Sequence, residues 1–179
     1  MKFLTARTAF LVLVLATLMG LPFQSRAAYE IFLNFSGVGT NIPISSLQWG
    51  ESRAIGSPTG GGGGRETSPP SFSEVTISKM MDSASPQLAM LAANGDGNAT
   101  CVITIKHATS GIALYTLTLE KVFISSYSVS SGGDVPAESL SLNFTKIIWV
   151  YQKLDSTGKA VGKASDPLGW DLAKQEPIP

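Results

Sequence analysis

Three observations predict a mainly β fold, a small antiparallel β-barrel with one short flanking α-helix. Between Tyr29 and Tyr151, run after run places apolar residues at every second position, the period of a strand with one face on a core. Two of these runs are long and change phase midway, which bends a strand and curls a sheet toward closure. One segment alone, after Ser85, carries apolar residues at helical spacing.

In order along the chain, Tyr29 to Phe35 sets Tyr29, Ile31, Leu33 and Phe35 on one face, and Gly37-Val38-Gly39 ends it. Ile44 to Trp49 is a shorter strand. From Gly50 to Pro70 the composition turns to Gly, Ser, Pro and Thr, with five consecutive glycines, Gly60 to Gly64. Holding five glycines in a sheet costs too much chain entropy, so residues 50–70 read as a loop insert. Phe72 to Met81 resumes as a strand with Val75, Ile77 and Met81 in phase.

Ser85 then suits a helix cap, Pro86 the first helical position, and Gly95 the left-handed residue past the end. A helix this short falls below the roughly 12–15 residues that hold a helix alone in water, so its Leu88/Leu91 face must dock on the sheet. Cys101 to His107 alternates again. Leu114 to Val129 carries Tyr115, Leu117 and Leu119 on one phase before Val122 and Ile124 take the other. Ser130 to Val135, with Gly132-Gly133, connects it to the next strand, where Leu140, Leu142 and Phe144 alternate with Ser139, Ser141, Asn143 and Thr145. After Lys146 the phase passes to Ile147, Trp149 and Tyr151 while Ile148 and Val150 keep the other, so this strand bulges near Thr145 or is covered on both faces. A polar turn, Asp155 to Gly158, and Gly169-Trp170-Asp171 close the fold, for six to eight strands and no internal repeat.

Lys2 and Arg7 precede an apolar run from Ala9 to Leu21, and Ser25-Arg26-Ala27 offers small residues for a peptidase. That is the layout of an export signal, so residues 1–27 are expected to be removed after Ala27 and the product to be periplasmic or secreted, without a stable membrane span. Residues 28–172 are one domain, and 173–179 a C-terminal tail. Without Lys2, Arg7 and Arg26, 10 of the 13 basic residues remain against 13 acidic, and no basic tract suggests nucleic acid. Cys101 is the single cysteine, so no internal disulfide forms.

The stretch E-S-L-S-L-N-F-T-K-I-I-W-V-Y from Glu138 to Tyr151, the D-x-x-G-K turn at Asp155 and the terminal Gly169-Trp170-Asp171 resemble the end of the Hcp family, the type VI secretion tube proteins. Further pieces fall in the same order: a strand closing on Gly37, Trp49-Gly50, the strand Phe72 to Lys79, Asp82-x-Ala-Ser-Pro-x-Leu88, and Leu119 to Ser126. The resemblance implies a small antiparallel barrel with one helix, six copies of which close into a ring that can stack into a tube and shelter effectors. It implies partners in the subunit itself and in sheath, spike or effector proteins, and no catalysis or cofactor. An export signal departs from that pattern, since such tubes assemble in the cytoplasm. The glycine insert falls in the loop that, in such proteins, reaches toward neighbours. The competing reading is an exported monomeric Hcp-like binding or surface module that no longer forms a tube.

Enzymatic chemistry finds little support. His107 is the only histidine, and no motif surrounds it, Cys101 or any serine in the sense nucleophilic catalysis needs. One His and one Cys make a poor metal site. Arg65-Glu66 follows Gly64 where a phosphate loop would carry Gly-Lys-Ser/Thr. Trp149 belongs to the core, while Trp170, Arg53, Arg65 and Glu66 are the candidate subunit or ring-stacking contacts.

Overall fold

The computed structural model describes residues 28–56 and 67–178, so the expected signal at 1–27, the run Gly60 to Gly64, Arg65 and Glu66 lie outside the described residues. Within them the chain forms twelve strands and one helix. The strands are β1 (Tyr29–Phe35), β2 (Gly39–Ile44), β3 (Ser46–Gln48), β4 (Glu51–Ser52), β5 (Ser71–Phe72), β6 (Val75–Met80), β7 (Ala99–His107), β8 (Ala113–Ser130), β9 (Ala137–Asn143), β10 (Lys146–Tyr151), β11 (Leu168–Asp171) and β12 (Glu176–Ile178). The helix, α1, runs Ser85–Asn94.

Every pairing is antiparallel. The larger sheet runs β2-β1-β7-β8-β10-β11-β12, and a second runs β3-β6-β9-β8. The expected barrel therefore takes a different form. The pairing path stays open at its edges, and the two sheets fold over one core through two bent segments, β8 and β2–β3. The phase switch in β8 is the bend itself: Lys121 takes φ 52° and interrupts the register with β7. Before it β8 pairs with β7 and β10; after it, with β9.

The ambiguity near Thr145 resolves as a change of sheet. β9 pairs with β6 and β8 and ends at Asn143, while β10 begins at Lys146 and pairs with β8 and β11. Phe144 is buried at the crossing, and Thr145 N donates to Glu120 O. More strands form than the six to eight expected, because β3, β4, β5, β11 and β12 hold two to four residues each, too few to show a period. Glu176–Ile178, within the expected tail, pairs with β11.

The core lies between the sheets. Leu33, Ile103, Leu117 and Leu119 come from the larger, Val75, Ile77, Leu140 and Leu142 from the smaller, and all are fully buried. Each contributes on the order of 1.5–3 kcal/mol of apolar burial. Leu88 plugs into this core from α1, with Leu91 half-buried beside it. Gly95 closes the helix at φ 65°, its N–H on Leu91 O, as its position predicts. The entry differs from expectation: Ala84 is the cap residue and makes no side-chain bond, and Ser85 is inside the helix with its hydroxyl turned to the core. Asp82 takes over the capping work, its Oδ1 accepting from Ala84 N at 2.9 Å.

Candidate functional site

Three features carry the chemistry of this fold: a buried ionic cluster, an aromatic cleft, and an uncovered sheet face.

The cluster sits where β6, α1, β8 and β9 meet. Lys79 occupies the core-facing phase of Val75 and Ile77 and is fully buried. Its Nζ lies 2.8 Å from Glu138 Oε2, 2.9 Å from Asp82 Oδ1 and Met80 O, and 3.1 Å from Ser85 Oγ. Glu138 holds the matching phase of β9 with Leu140 and Leu142, and its Oε1 accepts from the Tyr127 hydroxyl at 2.6 Å. Burial pushes the Glu138 carboxyl up, but bonds from Lys79, Tyr127 and Ser85 and the Lys79 charge outweigh it and leave it below the usual range. Burial, with the bonded carboxylate, pushes the Tyr127 phenol up to about 12. Thus Lys79, Asp82, Ser85 and Glu138, scattered over separate motifs, converge on one point. The signal available for this cluster was two ionisable residues on core-facing phases.

The cleft, about 400 Å³, is lined by Arg53, Pro70, Phe72, Trp149 and Trp170 with Glu51 and Ser52 at its edge. Trp149 is stacked between Trp49 and Phe72, ring centres 5.8 and 6.3 Å away. It packs half-buried against the core. Trp170 is held by its neighbours in the Gly-Trp-Asp run. A Cβ on Gly169 would come within 2.7 Å of Ile147 O and 2.9 Å of Ile148 Cγ1, so only glycine lets β11 approach β10 this closely. Asp171, buried, accepts from Ala173 N and Lys174 N and fixes the turn into β12. Arg53 and Trp170, expected as contacts, share this cleft; Arg53 is exposed and Trp170 half-buried.

The larger sheet turns its outer face away from the core. Phe32, Thr104, Thr116 and Val150 form one row across it, and Val102, Thr118, Ile148 and Ile178 fall in the next. The apolar members are half-buried by one another, and α1 packs on β8 without crossing the rows.

His107 ends β7 edge-on to Tyr29 and beneath Gly158. Its Nδ1 faces Ser110 Oγ at 3.2 Å, but that hydroxyl donates to Gly158 O at 2.7 Å and is tied to a turn, not presented as a nucleophile. Cys101 is fully buried, and desolvation holds its thiol far above the usual range. Among the described residues no group of three His, Cys, Asp or Glu side chains is placed to hold a metal, and no helix is long and apolar enough to cross a membrane.

Comparison with known proteins agrees with this architecture. A family model described as "Type VI secretion system effector, Hcp" matches residues 36–151. A solved structure titled as that of a type six secretion system protein is 25% identical, covers 84% of this chain and 100% of its own, and superposes with a TM-score of 0.74. Hcp1 from Salmonella typhimurium is 20% identical over 85% of this chain and 100% of its own, with a TM-score of 0.65. A type VI secretion system effector from Yersinia pestis is 15% identical over 79% and 98%, at 0.57. A search of curated proteins gives no match. The matched span holds the buried cluster and both sheet-switching strands, and on it the chain belongs to the Hcp family, whose members are structural tube proteins and not enzymes.

Proposed function

We propose that the chain is a non-enzymatic subunit that closes, six copies at a time, into a ring able to stack into a type VI secretion tube carrying effectors in its lumen. The observation that carries this reading, beyond family membership, is the uncovered face of the larger sheet. Phe32, Val102, Ile148 and Val150 stand on it half-buried. A neighbouring copy covering them gains roughly 25 cal/mol for each Å² of apolar surface removed from water. A ring requires one patch to meet a different patch, and a molecule with two unlike sheets offers that. Sheath, spike and effector proteins are the further partners of such a tube.

Residues 1–27 support export, with cleavage after Ala27 and a periplasmic or secreted product. The same residues favour a second reading, an exported monomeric surface or binding module that kept the fold without the tube.

The test is to express the full chain, sequence the N-terminus of the purified product, and measure its mass in solution while imaging it for rings. Rings of six support the first reading. A single-subunit mass at every accessible concentration sinks it in favour of the monomeric module, and Met1 retained on the product removes the export step.

A further inference from the structure

The aromatic cleft holds donors that nothing in its own chain satisfies. Trp149 Nε1 and Trp170 Nε1 are the two buried side-chain polar atoms among the described residues that meet no acceptor, and both residues line the cleft. A buried N–H left without an acceptor costs free energy, so a matched occupant is favoured. Arg53 stands exposed on the same cleft, with no ion-pair partner among the described residues. Phe72, Pro70 and the face of Trp170 make its walls apolar. These groups select an occupant that presents carbonyl or carboxylate acceptors beside a small apolar side chain.

That chemistry stands at the other end of the smaller sheet. β8 and β9 are joined by Ser131 to Pro136, a tip on which Asp134 is exposed and Val135 is 59% exposed. Nothing lies within 4 Å of where a side chain on Gly132 or Gly133 would begin, so the tip projects into open space with its carbonyls unshielded. Asp134, like Arg53, has no ion-pair partner among the described residues. Phe72 precedes the start of β6, whereas Pro136 O takes the Met81 N–H just past its end. Cleft and tip are thus separated by the length of β6, roughly 17 Å for its five steps, and one chain does not fill its own cleft.

We propose that the β8–β9 tip of one copy seats in the Trp170 cleft of a second copy, resting on the self-assembly proposed above. Asp134 meets Arg53, Val135 packs on Phe72 and Trp170, and the tip carbonyls accept from the two indole N–H groups. The contact is heterologous, a projection on one end of the subunit entering a recess at the other, so it propagates from copy to copy.

Sedimentation velocity on the full-length gene product tests it with four proteins: wild type, Arg53→Asp, Asp134→Arg and the double exchange. Each single change puts like charges together and is expected to weaken self-association by about tenfold or more. The double exchange restores it. Both positions are exposed, and an unchanged unfolding midpoint confirms the fold of each variant. Trp170→Phe, which keeps the ring and removes the N–H, weakens association as well. Singles that assemble like wild type overturn the tip-in-cleft contact while leaving the proposed assembly standing, as does a double exchange that fails to restore what the singles lose. A wild type that stays monomeric removes the assembly and this contact with it.

Discussion

Lys79 Nζ and Glu138 Oε2 lie 2.8 Å apart with neither side chain reaching solvent, an ion pair set on core-facing positions of two adjacent strands. Removing one member strands a charge in the core. Lys79→Met and Glu138→Gln should each destabilise the fold, the lysine change by about 3–5 kcal/mol because it leaves a bare carboxylate. The double variant Lys79→Met/Glu138→Leu should recover most of that loss. Urea titrations of the set read it directly, and additive losses in the double would show that the two groups do not act as a pair.

The same pair sets an acid limit. Glu138 is held below the usual carboxylate range, as is Asp171 through its backbone bonds with Lys174 and Ala173. A lowered folded value means a contribution present in full above the ordinary carboxylate range and lost as pH falls through it toward the folded values. The urea midpoint should therefore be flat from pH 7 to about 5 and drop below about pH 4. Glu138→Gln should flatten part of that drop, and an unchanged profile would count against the assignment.

Alkali probes the other side of the cluster. Tyr127 ionises only near 12, so its phenol stabilises the fold in full below the ordinary tyrosine value and less as pH rises through 12. Absorbance titration of the native protein should show a late-ionising tyrosine that disappears in Tyr127→Phe. An early, uniform titration of all tyrosines would contradict the buried bond to Glu138.

Gly169→Ala tests the seam between β10 and β11. The new methyl meets a backbone oxygen, Ile147 O, at 2.7 Å, which a side-chain rotation cannot relieve. A loss of about 1–3 kcal/mol is expected, with a melting temperature lower by roughly 2–4 °C per kcal/mol. Calorimetry showing no change would mean that β11 shifts freely.

Cys101 should be silent to an aqueous disulfide reagent in the native state and react fully in urea, since its thiol is both buried and held protonated. Reaction without denaturant would mean that β7 opens.

Much of this fold was legible because its long strands have one face on a single core: Leu33, Ile103 and Leu140 fall on phases the sequence shows outright. The phase changes at Lys121 and Thr145 were visible as well, but their meaning depends on which strand comes alongside, and that is a tertiary fact. β4, β5 and β12 are too short for any period, and their pairing rests on neighbours brought from elsewhere. Lys79 escaped notice because composition assigns lysine to the surface, and only its phase with Val75 and Ile77 marks it as buried. Arg53 and Trp170 lie more than a hundred residues apart, so nothing local announces that they face one cleft.

The double life of β8 has a kinetic side. Its first half needs β7 and β10 and its second half β9, so partners drawn from Ala99 to Tyr151 must all be present before either sheet is complete. No N-terminal fragment ending before β10 contains both sheets, and the chain should fold late, slowly and in one step, as topologies dominated by distant pairings do. An export signal at its start would act on a polypeptide that is still unfolded.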